Sequence, residues 1–248
     1  MNHLVHAPAG QVDEAPASWL TRIALSQGIT ISDLLSTLPS PGGDVDVAIQ
    51  KPEFRVGLSK FGLNVRALHA ANAVFSSFRI GGLEPSRFLL FDGRRPRYRF
   101  CPGCFSSMRQ PYIPVHWRFT AWHYCPLHAC AMVDACTNCG STIVLPRSMT
   151  TAGPKGRGVA YLSSCLTCGY ELSKVPAVAY SPKLVSASES WHNTRLANGR
   201  AVLAALYRGH VWLSAEGKAL PVRKLIELER RGMLPGKVLS FEGLGKQP

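Results

Sequence analysis

Hydrophobic residues near the start of the chain recur at helical spacing in two short stretches. Ser18 is positioned to cap the first helix, and Gly28 to end it. Ser32 is positioned to cap a second helix, which Pro39 would stop. The apolar positions are Trp19, Leu20, Ile23, Ala24 and Leu25 in the first stretch and Leu34, Leu35 and Leu38 in the second. Two helices joined by a short turn resemble a helix-turn-helix, although packing alone explains the pattern equally well.

A second pair of amphipathic stretches follows, with Gly62 between them. Asn64 is positioned to cap the later helix of this pair. The apolar positions are Val56, Leu58 and Phe61 before Gly62, then Val65, Leu68, Ala71, Val74 and Phe75. Lys60, Arg66 and Arg79 make the segment mildly basic. Two interpretations stay open: contact with nucleic acid, or a helical hairpin that only builds the core.

Helical patterning returns after Pro182, in RLANGRAVLAALYRG and in a stretch predicted to be helical from about Val222 to Arg231. The predicted architecture is therefore mainly α with small β elements. A helix-turn-helix-like helical domain over residues 1–92 precedes two tandem zinc-ribbon or knuckle modules over 93–178, and a helical region occupies 179–248. Residues 146–160 read as a basic loop within the second module, either a phosphate contact or a tolerated insertion.

Cysteine spacing predicts metal sites between these helical regions. Three C-x-x-C pairs and one C-x-x-H unit occur: Cys101 and Cys104, Cys125 and His128, Cys136 and Cys139, Cys165 and Cys168. Two residues between ligands let a tight turn direct both side chains at one ion, and a tetrahedral zinc site needs two such turns. Sequential pairing, preferred over an interleaved cross-brace because its loops close locally, predicts two structural zinc ions. The first is held by the first two half-sites and the second by the last two.

Three further residues near these half-sites could change the ligand assignment. Cys130 is expected to be a small buried residue or else an alternative ligand. His116 and His123 could each replace His128, but neither belongs to a two-residue turn. Four protein ligands leave no open position for water, so we expect scaffolding rather than zinc-assisted hydrolysis. The deaminase pattern H-x-E is absent from the sequence.

Charge along the chain favours a polyanionic partner. The formal net charge is +13 and the pI is near 9.7, yet Arg22 is the only Lys or Arg in the first 50 residues. The acids there are Asp13, Glu14, Asp33, Asp44 and Asp46. This asymmetry suggests an acidic face for a protein and a basic face for nucleic acid. Solvation and chance are the alternative.

An arginine-rich segment precedes and enters the first metal module. We predict nucleic-acid contacts from Arg94, Arg95, Arg97, Arg99, Arg109 and Arg118, because guanidinium groups suit phosphate and interleaved aromatic rings can stack on bases. Alternation over Arg97-Tyr98-Arg99-Phe100 also fits a strand with one basic, merely solvated face. The sequence contains no apolar run long enough for a membrane span and no signal-peptide pattern at MNHLVHAPAG, so we expect a cytoplasmic protein without a membrane partner.

The ordered motif series resembles the TniQ family of transposition proteins. The resemblance rests on Trp19-Leu20, Cys101-Pro-x-Cys104, Trp117, Cys125-Pro-x-His128, Cys136-x-x-Cys139-Gly140 and Cys165-x-x-Cys168-Gly169. It covers roughly residues 14–175 and departs at Thr137, where the family often has proline. The resemblance implies a targeting adaptor that connects target DNA, or a CRISPR RNA-guided complex, to an AAA+ ATPase regulator that engages the transposase.

Two other functional classes compete with the adaptor. A stand-alone zinc-containing transcription regulator would also explain the helix pairs and the basic charge. An enzyme is not expected, since no P-loop, G-x-S-x-G or H-E-x-x-H motif occurs and acids are sparse after Asp92. The expected partners are DNA, the AAA+ ATPase, and a CRISPR effector complex or transposase, with a homodimer as a further alternative.

Overall fold

The computed structural model describes residue 4 and residues 6–81, 84–150, 161–178, 203–213, 218–222 and 224. Within them, short helices are combined with three small antiparallel sheets. The mixture of helices and small sheets agrees with the predicted class. Most of the predicted loop 146–160, and most of the predicted C-terminal helices, lie outside the described residues.

The helical part contains five α-helices, three of them near the start of the chain. They are α1 (Pro16–Ser26), α2 (Ile31–Ser36), α3 (Val45–Ala48), α4 (Pro52–Lys60) and α5 (His69–Gly81). Gly28 has a φ of 65°, in agreement with its predicted place after the first helix. The predicted caps are wrong. The first helix begins at Pro16 without a side-chain cap, while Thr30 and Asp33 form a capping box at α2 in place of Ser32.

The second helix pair also differs in detail from its prediction. Asn64 caps only a single 3-10 turn over Val65–Ala67, and α5 begins after it at His69. Asn72 on α5 donates from Nδ2 to the carbonyl oxygens of Val65 and Leu68, at 2.8 and 2.9 Å. Its side chain therefore fixes the turn against α5. On the same helix, Ser77 donates to the carbonyl oxygen of Leu206, so the helical residues 203–208 lie against α5.

Short strands frame the cysteine-rich part. The hairpin of β1 (Phe91–Asp92) and β2 (Arg95–Tyr98) is extended by β3 (Ile143–Val144), in the order β1-β2-β3. A second sheet pairs β4 (Tyr124–Cys125) with β5 (Cys130–Ala131), and helix α6 spans Pro102–Ser107. The predicted domain boundary between residues 92 and 93 thus falls in the turn of a hairpin. Buried residues on both sides of it belong to one hydrophobic cluster.

The C-terminal region is not purely helical. Gly209, with a φ of 73°, ends the helical residues 203–208, and a hairpin of β6 (His210–Leu213) and β7 (Lys218–Pro221) follows. The prediction of a helical tail is wrong for this hairpin. Val211 and Trp212 are residue types that favour strands, and the glycine separates them from the preceding helix.

A buried ionic network joins the helical part to the cysteine-rich part. The Arg118 guanidinium is 0% exposed and binds Asp44 through Nη2 at 2.7 Å and Asp46 through Nη1 at 2.9 Å. Asp46 also accepts hydrogen bonds from the Tyr98 hydroxyl and, at 2.8 Å, from the backbone N–H of Ala17 at the start of α1. Burial raises the pKa of the Asp46 carboxyl, and the positive charge of Arg118 opposes that rise. One carboxylate therefore connects α1, α3, β2 and the 3-10 turn of Arg118.

We expect Arg118→Ala to lower the free energy of unfolding by about 3–5 kcal/mol, because it leaves a buried carboxylate without its counter-charge. Chemical denaturation followed by tryptophan fluorescence measures the change. Arg94→Ala, which removes the same charge from an exposed side chain, is the control and should shift stability by less than about 0.5 kcal/mol. Equal effects of the two substitutions would contradict the structural role of the network.

Candidate metal centres and the arginine-rich segment

The first predicted ligand set lies together on three neighbouring elements. Cys101 is the N-cap residue of α6 and Cys104 lies in its first turn, where the Cys104 backbone N–H donates to the Cys101 sulfur at 3.4 Å. Cys125 ends β4, and His128 lies in the turn that leads to β5. The four donor atoms are within 4.8 Å of one another.

Distances within this set fit a tetrahedral zinc site. A tetrahedron with ordinary Zn–S and Zn–N bonds has edges of about 3.8 Å between sulfurs and about 3.5 Å between sulfur and nitrogen. His128 Nδ1 lies 3.6 Å from the Cys101 sulfur, 3.3 Å from that of Cys104 and 3.5 Å from that of Cys125. The Cys104 and Cys125 sulfurs are 3.5 Å apart. The donor set and its spacing therefore suit a single zinc ion.

Gly103 leaves space for the imidazole of His128 because it has no Cβ atom. A Cβ atom at position 103 would lie 2.5 Å from His128 Cδ2 and 2.6 Å from its Cγ, closer than carbon atoms approach without a clash. The ring thus lies directly over the backbone of the Cys101–Cys104 turn. Any larger residue at 103 would displace the ring that carries the fourth donor.

The second predicted set forms a similar cluster from two copies of one turn. Gly140 and Gly169 follow the last cysteines of their pairs with φ of 71° and 76°, a conformation that glycine adopts without strain. Their N–H groups donate to the carbonyl oxygens of Cys136 and Cys165 at 2.8 Å. The sulfurs of Cys136 and Cys168 are 3.8 Å apart, and those of Cys139 and Cys165 are 3.5 Å apart.

The sulfurs of the second cluster are closer to solvent than those of the first, whose exposed donor is His128. Cys139 is exposed and Cys168 is partly exposed, whereas all three cysteines of the first set are buried. The Asn138 side-chain amide donates to the Cys168 sulfur at 3.4 Å and lowers the pKa of that thiol to about 6. A thiol with a lowered pKa is a thiolate at neutral pH, which is the form that binds a metal.

The structure separates the alternative ligands from the two clusters. Cys130 is 1% exposed and its sulfur lies 3.6 Å from that of Cys101, but it is not one of the three sulfurs that converge with His128 Nδ1. His116 lies against Trp122, with ring centroids 4.8 Å apart, and burial lowers its pKa to about 4. His123 also lies outside both clusters. The two groups are those that sequential pairing predicts.

The six arginines predicted to contact nucleic acid do not share one environment. Arg94, Arg95 and Arg109 are exposed. Arg97 and Arg99 both bind Asp134, and Arg99 also donates to the carbonyl oxygens of Thr120 and Trp122 at 3.0 and 3.2 Å.

The prediction is wrong for Arg118. Its guanidinium is fully buried and is occupied by Asp44 and Asp46, so it is not available to a nucleic acid.

The predicted acidic N-terminal face is also wrong. Of the five acids before residue 50, Glu14 and Asp46 are 0% exposed, and Asp44 is mostly buried. Glu14 binds Arg22 at 2.6 Å, and Asp13 accepts a hydrogen bond from the Tyr112 hydroxyl at 2.8 Å. Only Asp33 is exposed. Asp13, Glu14, Asp44 and Asp46 therefore make contacts within the protein, and a count of charges along the sequence does not reveal such contacts.

The two clusters are closed sites. Each offers four protein donors, which leaves no coordination position for a reacting water. Elsewhere in the described ranges no other group of three or more potential ligands converges. Two four-donor clusters of this kind are suited to stabilising the fold. In the same part of the chain, no helix is both long and apolar enough to cross a bilayer.

Comparison with known families gives a match to the TniQ family. The TniQ family model matches residues 6–132, just over half of the chain. The matched span contains the helical part and the first cluster, and it ends before Cys136. No curated protein matches the chain.

Zinc stoichiometry tests which sulfurs are ligands. We expect the purified, tag-free protein to carry two zinc equivalents and Cys104→Ser to carry one. Cys130→Ser, matched in chemistry and in burial, should keep both, because His128 supplies the fourth donor. Metal analysis by mass spectrometry measures the content. Loss of an equivalent in Cys130→Ser would transfer the ligand role from His128 to Cys130.

We expect Gly103→Ala to weaken the first site by about 1–3 kcal/mol, the usual cost of forcing a methyl group into a packed region. Competition with a chromogenic chelator measures the affinity of each site. The second site serves as the control within the same molecule and should be unchanged. An unaltered first site would show that His128 does not need the space above Gly103.

Proposed function

The chain belongs to the TniQ family, and we propose that it acts as a non-enzymatic targeting adaptor in transposition. The family acts in the selection of transposition targets. The family match is the observation that carries this proposal. The finer assignment is that the protein links target DNA, or a target-recognition complex, to an AAA+ transposition regulator.

The arrangement of the matched segment supports an adaptor. Its helices and its first cysteine cluster share one core and are joined by the Arg118 network. A rigid body of this kind can hold two partners at a fixed distance without catalysing a reaction. We further propose that both clusters hold structural zinc, since four thiolate or imidazole donors at tetrahedral spacing favour that ion.

DNA is the proposed target partner because the surface is basic. The protein has a net charge of +13, and several of its N-terminal carboxylates are turned inward against arginines or a tyrosine. Arg94, Arg95 and Arg109 are exposed and remain proposed nucleic-acid contacts. An RNA-guided CRISPR complex is an alternative route to the target, with the same link to the ATPase.

Binding to an AAA+ transposition regulator tests the adaptor. We expect the purified pair to associate in the presence of ATP and target DNA, and deletion of the adaptor to reduce insertion at the preferred target by at least tenfold while the transposase remains active. Pull-down and sequencing of insertion sites measure the two effects. Cys104→Ser, which should disrupt the first site, is the negative control.

Two results would contradict the adaptor. One is absence of any association with the ATPase, with or without DNA. The other is a sequence-specific footprint made by the protein alone together with unchanged transposition, which would favour a transcription regulator.

A further inference from the structure

A basic pocket of about 380 Å³ lies between α4 and the turn that follows it. We call it the α4 pocket. Arg55 and Ser59 line it from α4, and Asn64 and Arg66 line it from the turn. Val56, which is 54% exposed, adds an apolar edge. Two guanidinium-bearing residues, small polar groups and an apolar edge thus surround one depression on the surface.

The cations of the α4 pocket have no counter-charge. The ion pairs within the described residues involve Arg22, Arg97, Arg99 and Arg118, and none includes Arg55, Lys60 or Arg66. Among the described residues the Arg55 side chain makes one hydrogen bond, from Nη2 to Asn72 Oδ1 at 3.4 Å. This differs from the arginines of the core, each of which has a carboxylate partner.

The sequence around the α4 pocket contains few acids that could supply a counter-charge. Between Asp46 and Glu84 there is a single carboxylate, Glu53, against five Lys or Arg. Glu53 lies in the first turn of α4, two residues before Arg55, and residues two apart on a helix do not face each other. The pocket therefore has a locally positive potential, which attracts anions.

The polar groups around the cations order the pocket and leave the guanidinium groups as its donors. The Asn64 Oδ1 atom accepts from the Arg66 backbone N–H at 3.0 Å and thereby orders the turn. The Ser59 hydroxyl donates to the carbonyl oxygen of Val56 at 2.8 Å, which leaves its oxygen able to accept rather than donate. Direct donors to an anion are therefore the two guanidinium groups, with Lys60 close by on α4. Arginine suits phosphate through its planar fork of donors.

We propose that the α4 pocket binds a phosphodiester group of a nucleic-acid backbone, with Arg55 and Arg66 as the contacting cations. The apolar edge at Val56 suits the sugar beside the phosphate. This inference rests on the proposed function in that the nucleic acid is the target DNA. It places a backbone contact on the helical part of the chain, away from the arginine-rich segment before Cys101. Contacts of this kind position a protein on a duplex without reading its sequence.

The salt dependence of DNA binding tests the pocket. Each phosphate contact contributes about 0.9 to the slope of log affinity against log salt concentration. We expect Arg55→Gln/Arg66→Gln in the full-length protein, which removes both cations of this one phosphate contact, to make that slope shallower by about 0.9, equally for unrelated duplex sequences. Fluorescence anisotropy with a labelled random-sequence duplex measures it. Retention of two zinc equivalents and of native tryptophan fluorescence shows that the variant is folded.

Lys174→Gln/Arg208→Gln is the matched control, since it removes two positive charges from exposed positions outside the pocket. We expect it to change the slope by much less than the pocket variant. Arg55→Lys, which keeps the charge but loses the fork, should give an intermediate affinity. Equal changes in the pocket variant and in the control would show diffuse attraction and overturn the proposal.

Two further outcomes separate the source of the phosphate from the function of the protein. If the pocket variant loses calorimetric binding of inorganic phosphate while its DNA slope is unchanged, the pocket holds a small anion and the proposal fails. If the wild-type protein binds no duplex at all but still associates with the ATPase, the pocket proposal fails and the adaptor stands. If the protein does not associate with the ATPase but the salt slope of DNA binding still depends on the pocket, the adaptor proposal fails and the pocket proposal stands.

Discussion

The buried pairing of Arg118 with Asp44 and Asp46 is the constraint on which the arrangement of the two halves depends. Asp46 connects to the start of α1 and to Tyr98 on β2, and Asp44 caps α3 through its carboxylate. A buried ion pair contributes little net stability when it is intact, but its geometry is specific because any misalignment leaves a charge unpaired. The network therefore fixes the orientation of the helices relative to the strands that precede the first cysteine cluster.

The same chemistry explains the charge asymmetry along the chain. Acids near the start were needed to neutralise Arg22 and Arg118 or to accept from Tyr112, so they are not a docking face. Burying Glu14, Asp44 and Asp46 against Arg22 and Arg118 removes three carboxylates and two guanidinium groups from the surface, and the cations of the α4 pocket remain outside without a carboxylate partner among the described residues. A count of charges by segment cannot distinguish buried carboxylates from exposed ones, since it ignores which side chains are internal. Electrostatic attraction to a polyanion depends on the charge that remains on the surface.

Local patterns were predictable from the sequence, and contacts between distant segments were not. The eight converging ligands follow from two-residue spacings, and the positive φ of Gly140 and Gly169 follows from the turn chemistry of each pair. The cap at Thr30 was missed because Ser32 offers the same chemistry two residues later. Arg118 looked like its exposed neighbours because nothing near it in sequence reveals Asp44 and Asp46. The hairpin after Gly209 was missed because helical residues lead directly into it.

If both cysteine clusters hold the proposed zinc ions, their different exposure to solvent gives the protein two levels of metal dependence. In the first cluster the three sulfurs are buried and only His128 is exposed, whereas in the second cluster Cys139 is exposed and Cys168 is partly exposed. Exchange with other metal ions or with cellular chelators would therefore begin at the second cluster, whose sulfurs are more exposed, and leave the first cluster occupied. A half-loaded molecule would keep its helices and its Arg118 network in place, so the ion of the second cluster can be replaced during the lifetime of a folded chain.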